Sequence, residues 1–257
     1  MVKVAIPHRR SVLIGAAATA GAAILAGRSQ QALARAPADG PWAVELFTSQ
    51  GCNSCPPADA FLGKLAKRPD IVALSFHVDY WDYIGWKDPF ASRETTERQR
   101  AYARVLKQRY VYTPEMVVDG IGHDTGRDPG PIERLLAEAQ RRSPKRATPE
   151  LARTAGGPLS ISLAAFPLEG RSAEVVLAVY DRRYATPVRS GENQGRTLEN
   201  FNIVRHLEVV SHWDGSPASW VIAADRIQPN QGVAVLVQRT DHGPMVGCNK
   251  LEPAYSG

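Results

Sequence analysis

Cysteine is scarce in this sequence: three in 257 residues, two of them three positions apart at Cys52 and Cys55 and the third far away at Cys248. Met-rich and His-rich tracts are missing, so the runs of soft ligands that mark copper carriers are not found. Acid is missing from the N-terminus. No Asp or Glu precedes Asp39, while Lys3, Arg9, Arg10, Arg28 and Arg35 supply five of the 31 basic residues. Beyond residue 36 the other 26 basic side chains face 26 acidic ones. The basic excess therefore belongs to the N-terminus and gives no reason to expect a nucleic-acid partner. The apolar run over residues 12–26 is too short to cross a bilayer comfortably, which argues against stable membrane insertion once it is removed.

A basic segment, a short apolar run and small residues at Ala32, Ala34 and Ala36 follow the plan of an export leader. Arg9-Arg10 before Ser11-Val12-Leu13 resembles a twin-arginine signal. Residues 1–36 are expected to be a cleaved leader, and the mature protein to be periplasmic or secreted.

Composition shifts midway along the chain. From Trp42 to Arg142 strand-like and helix-like patterns alternate, and the periodicities predict strand, helix, strand, helix, strand, strand, helix. The Asp119-Gly120 pair between apolar runs predicts a hairpin turn. Residues 143–158 are rich in Pro and Gly and read as a linker. Residues 159–251 read as five β-branched strands in a small antiparallel sandwich. The expectation is an α/β domain over 40–142 and a separate β-rich domain over 159–251.

The CNSC segment lies where the first strand turns into the first helix. A thiolate at a helix N-terminus is stabilised by the N–H groups there, which makes Cys52 the candidate nucleophile and the more accessible sulfur. Cys55 would resolve the mixed disulfide. Asn53-Ser54 contributes no imidazole, so a middling potential is expected. Two other readings of the pair stand beside this one. The first is an inert structural disulfide, although a bridge spanning so few residues restricts the unfolded chain little. The second is a Cu(I) site made by Cys52, Cys55 and His77.

Other candidates gather around the pair. His77 and Asp79 close the second strand, where ligands and catalytic groups of parallel sheets collect. Glu45, inside the first strand, is a carboxylate that can take a proton from Cys55 if its side chain faces that way. Tyr80, Trp81, Tyr83, Trp86 and Phe90 form either a partner surface or packing against the C-terminal half. Residues 190–200 (SGENQGRTLEN) read as a plain polar connection. Cys248 is the odd cysteine, a buried side chain or one half of an additional bridge.

CNSC at a strand–helix turn, Thr113-Pro114 just before a strand and the hairpin behind it resemble thioredoxin-like proteins. That resemblance implies a cis Pro114 facing the cysteines, with Thr113 able to pair with an extended substrate. The segments VELFTSQGCNSCPPAD, HVDYWDYIGWKDPF, RQRAY, YTPEMVVDG and GENQGRTLENFNIVRH are similar to a bacterial family catalogued as domain of unknown function 1223. The resemblance implies an exported, thioredoxin-like protein with a β-rich C-terminal part. The expected activity is thiol–disulfide exchange with protein or small-molecule thiols, with no cofactor beyond the disulfide.

Overall fold

A computed structural model describes residues 32–34 and 40–253 of the chain. The rest of the expected leader lies outside the described residues. In chain order the elements are β1 (Ala32–Ala34), β2 (Trp42–Thr48), α1 (Pro56–Leu65), β3 (Ile71–His77), a 3₁₀ turn (Asp79–Ile84), α2 (Arg93–Val105), β4 (Glu115–Val118), β5 (Gly122–Asp124) and α3 (Pro129–Arg142). Strands then dominate: β6 (Glu150–Arg153), β7 (Leu159–Leu163), β8 (Ala173–Pro187), β9 (Thr197–Trp213), β10 (Ala218–Ile222), β11 (Gln231–Arg239) and β12 (Met245–Leu251). No helix among the described residues is long and apolar enough to cross a membrane.

Local chemistry sets several of these boundaries. Pro56 and Pro57 occupy the first turn of α1, where a missing N–H costs nothing, and Cys55 is the N-cap. Ser92 caps α2 by accepting from the Thr95 N–H, and Asp128 caps α3 by accepting from the Gly130 N–H. Asp119 and Gly120 both have positive φ (49° and 68°), as the tight turn between β4 and β5 requires.

Eight strands form one mixed sheet in the order β12-β11-β8-β9-β3-β2-β4-β5. The β2–β3 pair and the single bridge between Ser75 of β3 and Ile203 of β9 are parallel, and the remaining ladders are antiparallel. A smaller sheet, β1-β6-β7-β10, packs on β8 and β11. This overturns the expected α/β thioredoxin-like domain followed by a separate sandwich-like β domain. The elements of residues 42–142 come in the anticipated order, but β8, β9, β11 and β12 continue their sheet and make the fold mostly β.

The physical reason is the outer edge of β3. Its seven residues are all buried, so leaving that edge open would strand its backbone groups and apolar side chains. β9 covers it. Asn202, in a left-handed conformation, donates its side-chain amide to the Ala73 carbonyl at 2.8 Å where the ladder itself gives out. One apolar cluster then runs through both halves, joining Phe47, Phe76, Tyr102 and Val117 to Val176, Tyr180, Val204 and Leu236. Each fully buried large side chain of this kind contributes about 1.5–3 kcal/mol.

Side-chain alternation divides the sheet's two faces. Ala43, Phe47, Val72, Leu74 and Phe76 point into the cluster under α2, whereas Trp42, Val44, Leu46, Ile71 and Ala73 point towards α1 and α3. Gly63 of α1 has no side chain to block the Phe201 ring of β9, whose nearest atom would lie 2.6 Å from a Cβ there. The segment read as a linker is packed as well. Arg146 makes a buried ion pair with Asp119 at 2.7 Å, and the Ala147 N–H donates to the Val246 carbonyl.

Candidate functional site

Cys52 and Cys55 are joined in a disulfide, Cα–Cα 5.5 Å, at the end of β2 where the chain turns into α1. Both are fully buried, so Cys52 is no more accessible than Cys55. The Ser54 hydroxyl lies 3.3 Å from Cys52 Sγ, and the Thr113 carbonyl oxygen lies 3.8 Å from the same atom. The Thr113–Pro114 peptide bond is cis. Trp81 holds Thr113 in place, donating its indole N–H to Thr113 Oγ1 at 2.7 Å.

His77 is also close by, at the end of the neighbouring strand and opposite Thr48. It is fully buried, with Nδ1 2.7 Å from Asp88 Oδ2. Burial alone would pull the imidazole pKa down, but the Asp88 carboxylate and the nearby Asp59 outweigh it and raise it above its ordinary value. Burial likewise works to raise the Asp88 carboxyl, and the His77 charge and hydrogen bond hold it below the usual range. Asp88 Oδ2 also accepts the Gln50 N–H at 2.8 Å, so the pair fixes the backbone two residues before Cys52.

The other two predicted acids are directed elsewhere. Glu45 is on the sheet face opposite α1, where it accepts from Arg98 Nε at 2.5 Å and from the Tyr102 hydroxyl at 2.5 Å. The sheet separates it from Cys55. Asp79 accepts from the Thr96 hydroxyl at 2.7 Å and so ties the 3₁₀ turn to α2.

The carboxyl that does accompany the disulfide is Asp59. It is four residues along α1 from Cys55, hence on the same helix face, and its N–H donates to the Cys55 carbonyl at 3.1 Å. Burial pushes its pKa up to about 7 against the opposing pull of the His77 charge. Asp59 Oδ1 and His77 Nε2 are both buried without a hydrogen-bond partner. A carboxyl on the apolar face of an amphipathic helix was the sequence signal for Asp59.

Residues of the C-terminal half complete the site. Asn193 donates its amide to the Gln50 carbonyl at 2.9 Å and to the Cys52 carbonyl at 3.0 Å. Gln50 donates in turn to Asn200 Oδ1 at 3.0 Å and accepts from the Trp86 indole at 3.2 Å. Of the aromatic stretch, Trp81 and Trp86 therefore lie against the disulfide loop. Phe90 packs edge-on against His77 and Tyr184, and Tyr83 points to solvent. Cys248 is remote from this site. It donates to the Pro41 carbonyl at 3.2 Å, and burial pushes its thiol up to about 12.

The profile of the family described as "Protein of unknown function (DUF1223)" matches residues 43–238. The chain belongs to the DUF1223 family. No curated protein matches this DUF1223 chain. Among solved structures, the crystal structure of protein AGR_C_4864 from Agrobacterium tumefaciens is 34% identical with a TM-score of 0.74, covering 87% of this chain and 97% of that one. HBP35 of Porphyromonas gingivalis is 13% identical with a TM-score of 0.56 over 87% of this chain and 80% of its own, a likeness of fold alone. The matched DUF1223 span runs from β2 to β11 and so includes both halves of the site.

Proposed function

We propose that this DUF1223 protein is an exported thiol–disulfide oxidoreductase that works through Cys52 and Cys55. The observation that carries the reading is Asp59, a buried carboxyl with a pKa of about 7 on the helix face of Cys55. A bridge closing so short a loop stabilises a chain little, and a staple has no use for a titratable acid whose burial costs stability. A sulfur that becomes a thiolate and then a thiol does need one.

The exchange proceeds in two displacements. A substrate thiolate attacks Cys52 Sγ, forming a mixed disulfide and breaking the Cys52–Cys55 bond. The Cys55 sulfur leaves with the electron pair and takes a proton from Asp59. A second substrate thiol, after losing its proton, attacks the substrate sulfur of the mixed disulfide and expels the Cys52 thiolate. The dithiol leaves oxidised by two electrons and the pair is reduced; the reverse sequence reduces a disulfide. The Ser54 hydroxyl donates to the Cys52 thiolate, replacing the helix N–H groups that Pro56 and Pro57 remove. Protein or small-molecule thiols are the substrates. The leader-like pattern of residues 1–36 supports a periplasmic or secreted setting.

The test is capture of the intermediate. Reduced Cys55→Ser should form a lasting mixed disulfide through Cys52 with a disulfide substrate, and Cys52→Ser should form none. Failure of Cys55→Ser to capture any thiol partner would sink the reading.

A further inference from the structure

An incoming thiolate must approach Cys52 in line with the bond it breaks, yet both sulfur-bearing residues are sealed. The seal has two parts. The 3₁₀ turn closes over Gly51, where a Cβ would lie 3.2 Å from Trp81 Cβ and 3.4 Å from Ile84 Cδ1. The tip of the β8–β9 hairpin, residues 188–196, closes over Gln50, Cys52 and Asn53.

Apolar burial does little to hold this tip, since only Val188 and Asn193 are buried within it. Polar contacts hold it instead. Asn193 binds the Gln50 and Cys52 carbonyls, Glu192 accepts the Asn53 N–H at 3.2 Å, and the Ser190 hydroxyl donates to the Gly85 carbonyl at 2.5 Å. The tip is a preformed unit. Arg196 donates to Asn193 Oδ1 at 2.8 Å, which aims the amide at the disulfide loop, and Val188 and Gly195 close the base through their backbone N–H groups. Gly191 and Gly195, with φ of 75° and 80°, give the turn its left-handed positions.

Resting on the oxidoreductase reading, we propose that residues 188–196 are a latch whose opening admits the thiol substrate to Cys52. Asn193 is its catch. A rigid tip held by a few hydrogen bonds opens without disturbing the core, which is the low-stability end of a fold's motions. Glu192 makes the latch sensitive to redox state. It occupies the N–H of the residue next to Cys52, so a Cys52 thiolate left by reduction places like charge beside it and loosens the tip.

The experiment measures the rate at which the oxidised full-length protein is reduced by dithiothreitol and by a reduced dithiol protein, scored by thiol trapping. Asn193→Ala removes two contacts to the disulfide loop and should speed reduction about tenfold. The gain should be larger with the protein dithiol, which needs the wider opening. The double variant Ser190→Ala/Glu192→Gln changes two side chains outside the core and should act in the same direction, with an unchanged thermal melt and near-UV spectrum. Rates equal to wild type in both variants would overturn the latch while leaving a reducible pair. If no protein is reduced by either dithiol, the variants included, the oxidoreductase reading itself fails.

Discussion

Replacing Asp59 with Asn tests the buried acid through stability, independently of any substrate. The folded protein holds this proton with a pKa of about 7, against 3.8 for the ordinary carboxyl. The gap of about three units is worth about 4 kcal/mol at 1.36 kcal/mol per unit. Because the folded value is the higher one, the folded state binds a proton that the unfolded chain releases. The stability this supplies is complete below pH 3.8 and is lost as the pH rises through 7. His77 acts with the same sign, since its raised pKa supplies stability below 6.5 that is lost as the pH rises through the folded value. Wild-type protein with its disulfide intact should therefore lose about 3 kcal/mol between pH 5 and pH 8, read by urea denaturation. Asp59→Asn should flatten most of that slope and be the more stable protein at pH 8 by about 4 kcal/mol. Parallel curves for the two proteins across this range would refute the assignment of a raised pKa to Asp59, and with it the proton donor for Cys55.

Three further outcomes follow from the geometry. Arg98→Met leaves Glu45 charged and buried without its partner and should cost about 3–5 kcal/mol in chemical denaturation, with much of that recovered by adding Glu45→Gln; a small loss in the single variant would contradict the pairing. Ser54→Ala removes the hydroxyl beside Cys52 Sγ and should raise the pH at which the reduced protein alkylates at Cys52, by up to about one unit. Cys248 should resist alkylation at pH 8 until the protein is unfolded, because burial holds its thiol protonated up to about pH 12; modification at the rate of a free thiol would contradict its packing.

What was legible in the sequence is what is local. CNSC at a strand–helix junction, the prolines behind it and Asp-Gly in the hairpin each specify their own backbone, and the structure forms them where their spacing puts them. Asp59 was missed, although it stands among Ala58, Leu62 and Leu65 on a helix's buried side. The continuation of the sheet was not legible. A strand such as Ile71–His77, buried on both faces, reads the same whether its outer neighbour is β9 or a helix, and no residue type marks which edge will be extended. Asn193 and Asn200 reach the disulfide loop across 141 and 150 residues, and a polar Gly-containing loop reads as a connection until its partner is known. Glu45 shows the cost of an unresolved parity. One position along β2 decides whether a side chain meets α1 or Arg98, and Glu45 meets Arg98.

The central claim, that Cys52 and Cys55 turn over, is tested most directly by thiol trapping of the folded full-length protein across a graded redox buffer. The account predicts one two-electron transition, with both cysteines gaining and losing the label together at a middling potential and Cys248 silent throughout. A pair that stays oxidised across the whole range in the native protein, and reduces only on unfolding, would show an inert staple and contradict the account.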